Sequence, residues 1–123
     1  MIRRRKVRTV LRTFHRDYAE IQRRLRIQLP PLQIKVCRLV SYLADVRVGE
    51  NREGNSFAII RIRKPLVQFP YVSLGKSVFY HEVGHIIAMV IYDYWAWDGS
   101  HGRQFRKAMR RLVRHGFQDR NEW

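Results

Sequence analysis

The chain has 123 residues and 46% hydrophobic content, enough for one domain with a single core over residues 1–123. No apolar run approaches the length of a membrane span, so membrane insertion is not expected. Cys37 is the one cysteine, which excludes a disulfide framework and a four-cysteine zinc ribbon, and suits a reducing, intracellular setting.

Charge sets the chain further apart. Twenty-five Lys and Arg stand against ten Asp and Glu, giving a net charge of +15 and a pI near 11.2. Such density points to a polyanionic partner, nucleic acid before an anionic membrane surface. Arg outnumbers Lys, which suits bidentate phosphate contacts. Met1 to Arg16 holds seven basic residues and no acid, a composition that also fits mitochondrial targeting. Its apolar spacing continues into a longer helix, which favours a structural role.

Val7, Val10, Leu11, Phe14, Tyr18, Ile21 and Leu25 recur at helical spacing and predict an amphipathic helix from about Arg5 to Gln28, stopped by Pro30-Pro31. His15 lies on it, facing solvent or the core edge. Leu32 to Leu39, Ala44 to Val48 and Phe57 to Arg63 read as strands, and residues 49–55 as a turn. Together they predict a small three-stranded antiparallel sheet whose last two strands form a hairpin. Cys37 reads as a small core residue on the first strand. In the third strand Ile60 and Ile62 alternate with Arg61 and Arg63, giving one buried and one basic face. That strand is a candidate to pair with an extended peptide.

Tyr71 to Gly75 reads as loop, with Ser73 or Ser77 capping a helix from about Lys76 to Tyr94 that is apolar on most sides. A loop rich in glycine and aromatics follows, residues 95–102. A last helix, about Arg103 to His115, turns Phe105, Met109, Leu112 and Val113 inward and Arg103, Arg106, Lys107, Arg110, Arg111 and Arg114 outward. The fold class is therefore α+β.

The central helix carries His81-Glu82-Val83-Gly84-His85. Histidines four apart lie one turn from each other on one helix face, so both imidazoles can reach one metal ion. Glu82 cannot join them as a ligand in that geometry, but it can take a proton from a water that the metal acidifies. This is the H-E-x-x-H arrangement of zinc peptidases. Catalytic zinc takes a third protein ligand. Asp93, Asp98, His101 and His115 lie downstream, and His101 is preferred because its loop can fold back beside the motif, with Asp98 second.

The pattern H-E-V-G-H, with His101-Gly102-Arg103-Gln104-Phe105 beginning sixteen positions after His85, resembles the SprT-like zinc metallopeptidases. The stretch H-G-R-Q-F-R-K-A-M is similar to their Spartan branch, proteases of DNA-crosslinked proteins. The element order is also similar to that family's zincin-like minimal core, from about Phe14 to His115. The resemblance implies one zinc ion (Zn2+) on His81, His85 and His101, with Glu82 as general base. It further implies that Gly102 permits the turn into the last helix and that Phe105 anchors that helix.

These features predict a zinc endopeptidase that cleaves proteins bound or crosslinked to DNA, acting as a monomer in the cytoplasm, nucleoid or nucleus. Arg3, Arg4, Arg5 and the basic face of the last helix are the expected phosphate contacts, and Trp95 and Trp97 could stack on unpaired bases. Tyr71, Tyr92, Tyr94 and Arg103 are candidates to stabilise an oxyanion. Two other readings compete: a nucleic-acid-binding module with a structural or inactive zinc site, and a general intracellular zinc peptidase without DNA dependence.

Overall fold

The apolar stripe of the N-terminal segment becomes the inner face of a helix. In the computed structural model, which describes residues 2–38, 42–92 and 102–117, α1 spans Ile2–Leu25. Val10, Phe14, Tyr18, Ile21 and Leu25 are buried along it, while Val7 and Leu11 pack at the edge of the core. The helix stops short of the expected Gln28. Arg26 takes a left-handed conformation, φ 54°, and Ile27 N–H donates back to the Gln22 carbonyl at 3.1 Å. That closure ends the helix before the prolines are reached. Gln22 and Tyr18 then hold the exit. The Gln22 side chain accepts from Leu29 N–H at 2.8 Å, and the Tyr18 hydroxyl donates to the Pro30 carbonyl at 2.7 Å.

Burial pushes the Tyr18 phenol well above the usual tyrosine range, so the fold favours its neutral form. Its contribution to stability is therefore complete below the unfolded-state value near 10 and is lost as pH rises beyond that. Tyr18→Phe is expected to cost about 1 kcal/mol near neutral pH, where the Pro30 carbonyl loses its donor. The variant should also lose stability less steeply above pH about 10, since it has no phenol to ionise there. Part of the slope persists, because burial and Asp17 raise Tyr80 as well. Urea midpoints on both sides of that pH check it; identical alkaline slopes would remove Tyr18 from the account.

Three strands follow: β1 Leu32–Cys37, β2 Ala44–Glu50 and β3 Ser56–Arg63. The sheet is mixed, which corrects the antiparallel expectation. Its order is β1-β3-β2, with β1 parallel to β3 and β2 antiparallel to it. The predicted β2–β3 hairpin is present, turning through residues 51–55, where the Asn51 side chain accepts from the backbone of Glu53 and Asn55. The physical reason for the order lies in β3. Its Ala58, Ile60 and Ile62 are fully buried, whereas β1 and β2 contain no fully buried residue. The most apolar strand takes the centre and leaves the half-buried strands as edges. Arg61 is exposed and ion-paired to Asp45 across the β2–β3 pair.

Lys64–Val67 continues from β3 as a short 3-10 helix that buries Leu66 and Val67. Helix α2, Val72–Val90, then packs over β2 and β3, and α3, Arg103–Arg114, packs on α2. Helix α2 begins earlier than expected, so Gly75 belongs to its first turn, where Gly75 N–H donates to the Tyr71 carbonyl at 2.9 Å. Neither expected serine caps it: the N-cap is Tyr71 without a side-chain cap, and Ser77 is buried inside the helix. Aromatic rings tie the helices together. Phe14 stacks on Phe79 at 4.6 Å, and Tyr80 meets Phe117 edge-on at 5.7 Å. Among the described residues no helix is long and apolar enough to cross a membrane.

Candidate metal centre

His81, Glu82 and His85 lie in the middle of α2, the helix most enclosed by the rest of the fold. The helical repeat sets the two imidazoles on one side, half-buried, with ring centroids 5.1 Å apart and planes at 71°. Glu82, one step round the helix from His81, is only 7% exposed. A carboxylate in such surroundings carries a desolvation penalty that a solvated helix residue does not. Its burial sets it apart from an ordinary surface glutamate.

One side chain from α3 reaches both histidines. Phe105 is fully buried and stacks on His85 at 4.2 Å, with its ring 4.8 Å from that of His81. It therefore anchors α3 against both imidazoles at once. Gly84 makes this approach possible. A Cβ on Gly84 would lie 2.3 Å from Met109 Sδ and 3.2 Å from Phe105 Cε1, so a side chain there would force Met109 to repack or α3 to shift. Gly84→Ala should consequently destabilise the fold by about 1–2 kcal/mol, overpacking outweighing the gain in helix propensity. A chemical denaturation midpoint measures this, and a more stable variant would show that the close packing does not limit helix spacing.

Helix α3 starts at the N-cap Gly102, which adopts an extended conformation with ψ −169°. Phe105 lies in the first turn of the helix that follows. His101, Trp95, Trp97, Asp93, Asp98 and Tyr94 lie outside the described residues. Among the described residues no three metal-ligating side chains form a cluster. The donor chemistry still fits zinc: two imidazoles on one helix face supply half of a tetrahedral set and leave positions for a third protein ligand and a water.

Other candidates are placed as follows. His15 is exposed on α1, and His115 is the C-cap of α3, its Nδ1 2.8 Å from the Arg111 carbonyl. Cys37 is half-buried at the end of β1. Tyr71 is exposed at the start of α2. Tyr92 is occupied by α3, accepting from Arg111 at 3.4 Å with Lys107 4.5 Å above its ring. Arg103, Arg106, Lys107, Arg110 and Arg114 form an exposed basic face. Arg111 differs: it is half-buried and donates to the Leu25 carbonyl at 2.6 Å, tying α3 to the end of α1. Val113, expected inward, is 37% exposed. Arg3, Arg4 and Arg5 lie on α1 ahead of its described side chains.

No family model, curated protein or solved structure matches the chain.

Proposed function

We propose that the chain is a SprT-like zinc endopeptidase acting on proteins bound or crosslinked to DNA. The observation that carries this reading is the pairing of two half-buried imidazoles on one face of α2 with a neighbouring glutamate that is buried. A closed structural site has no use for that carboxylate.

His81 and His85 would hold the ion, and His101, directly before the N-cap of α3, would complete the protein ligands. When bound, zinc supplies Lewis acidity, which lowers the pKa of water towards about 7 and polarises a carbonyl. Glu82 would accept the proton released by water and deliver it to the leaving amine. Phe105 would hold both imidazoles in their rotamers, since its ring lies against each of them. Extended substrate cannot pair with β3, which is central and bonded on both sides. The outer edge of β2, unpaired among the described residues and on the side of the sheet nearest α2, is the better candidate.

The net charge and the exposed cations of α3 support DNA as the scaffold on which substrate is met. An assay of a mixed protein substrate tests the whole reading. Cleavage should be stopped by a chelator, restored by zinc and increased by DNA. Chelator-resistant cleavage would contradict the metal, and cleavage indifferent to DNA would contradict the scaffold.

A further inference from the structure

A helix ends on backbone carbonyls that have no intrahelical partner. At the ends of α1 and α3 each helix supplies the other's missing donor. The Arg111 guanidinium of α3 donates to the carbonyl of Leu25, the last residue of α1, at 2.6 Å. The Arg24 guanidinium of α1 donates in turn to the carbonyl of His115, the C-cap of α3, at 3.1 Å. Each cation therefore lies at the negative end of the other helix's dipole. Glu20 holds Arg24 from its own helix at 2.8 Å, and the same guanidinium lies 5.2 Å over the ring of buried Phe117. A second arm of Arg111 reaches the Tyr92 hydroxyl at 3.4 Å, just past the end of α2. One guanidinium thus joins the ends of all three helices.

The opposite end of α3 meets the histidines. Phe105, in its first turn, has its ring 4.2 Å from that of His85 and 4.8 Å from that of His81. Six residues, about 9 Å of helix, separate it from Arg111. Between them Ala108 and Met109 bury apolar surface, which is non-directional and sets the depth of α3 more than its rotation. The hydrogen bonds at the C-terminal end are directional and resist rotation. With the ring about 5–6 Å from the axis, a turn of about 20° would carry Phe105 about 2 Å across the imidazoles. Gly102, the N-cap to which His101 is joined, would move with it.

We infer that Arg24 and Arg111 are positioning residues of the metal centre: from the far end of α3 they fix the rotation at which Phe105 meets His81 and His85. Neither is a proposed ligand or base. The inference rests on the zinc site of the proposed function, and it gives Arg111 a task other than the phosphate contact that its place on the helical wheel suggests.

Two measurements on the full chain test it, each beside a urea midpoint of the metal-free form. One is zinc affinity by competition with a chromophoric chelator; the other is the visible spectrum with cobalt(II) in place of zinc. Arg111→Met keeps an apolar stem but removes every donor. It should bind zinc about ten- to a hundredfold more weakly and change the intensity of the cobalt bands, which follow coordination geometry. Arg111→Lys, which retains a donor for Leu25, should recover part of that affinity. Arg24→Met, at an exposed position, should lose about threefold. As a control, Ile62→Val removes a buried methyl group from the sheet, so stability falls while zinc affinity stays within about twofold and the cobalt spectrum is unchanged.

A lower urea midpoint in Arg111→Met with normal zinc affinity and a normal cobalt spectrum would reduce the clasp to a structural tie and overturn the proposal. An equal zinc loss in Ile62→Val would trace the effect to stability alone and overturn it as well. Should circular dichroism show Arg111→Met unfolded, Arg24→Met must still weaken zinc, and unchanged affinity there overturns the positioning role. Cleavage of a protein substrate is read on the same preparations. An unmodified chain that binds zinc without cleaving would sink the peptidase reading and leave the affinity differences standing. One that cleaves while every variant binds zinc equally would sink the positioning role alone.

Discussion

Glu82→Gln is expected to lower proteolysis by about 10²- to 10⁴-fold while the protein keeps its zinc and its fold. Glutamine has nearly the same shape and fits the buried position, but its amide cannot take a proton from water near neutral pH. The loss should fall on kcat, because the carboxylate acts in the reacting complex and not in holding the peptide. Single-turnover cleavage together with metal analysis separates the possibilities. A variant that cleaves at the normal rate would end the general-base assignment. A variant that loses zinc as well would show that Glu82 supports the ligands instead.

The largest effect on stability is expected at Gly75. It is buried where α2 crosses the 3-10 helix, and a Cβ there would lie 1.8 Å from the Leu66 carbonyl oxygen and 2.8 Å from its carbon. Those are backbone atoms, which cannot swing aside as a methionine side chain can. Gly75→Ala should therefore cost about 3 kcal/mol despite the better helix propensity of alanine. The corresponding fall in Tm is about 10 °C. Thermal unfolding followed by circular dichroism measures it, and a Tm within a degree or two of the unmodified chain would show that the helices are not packed this closely.

Gly75 also shows where sequence reading meets its limit. A glycine among Tyr71, Ser73 and Leu74 reads as a helix breaker, yet it lies inside α2 because only glycine fits beside Leu66. The reason is a tertiary contact, which local propensity does not contain. Strand order failed for a related reason. The alternation in β3 revealed its buried face, Ile60 and Ile62, but the partner on each of its edges depends on how the chain passes through residues 38–43. Nothing in the strand pattern says that β1 crosses to the far side of β3.

Where a single periodicity governs, the sequence was readable. Phe14, Tyr18, Ile21 and Leu25 on α1, and Phe105, Met109 and Leu112 on α3, are buried as their spacing predicts. The placing of His81 beside His85 belongs to the same class, since i, i+4 spacing on a helix requires the two imidazoles to be neighbours. Gly84, in the middle of α2, packs against Met109 and Phe105 of α3, contacts that belong to the tertiary fold and not to the helix itself. Arg111 was not legible: on a helical wheel it belongs with the other cations of α3, but its guanidinium closes onto Leu25 across the interface with α1.

The claim on which the rest depends is that α2 holds a catalytic zinc ion through His81 and His85. Metal analysis of the purified chain beside His85→Gln, with both proteins shown to be folded, tests it most directly. The account predicts one zinc per chain in the first and less than about a tenth of that in the second. Equal zinc in both proteins, or none in the unmodified chain after it has been offered zinc, would contradict it.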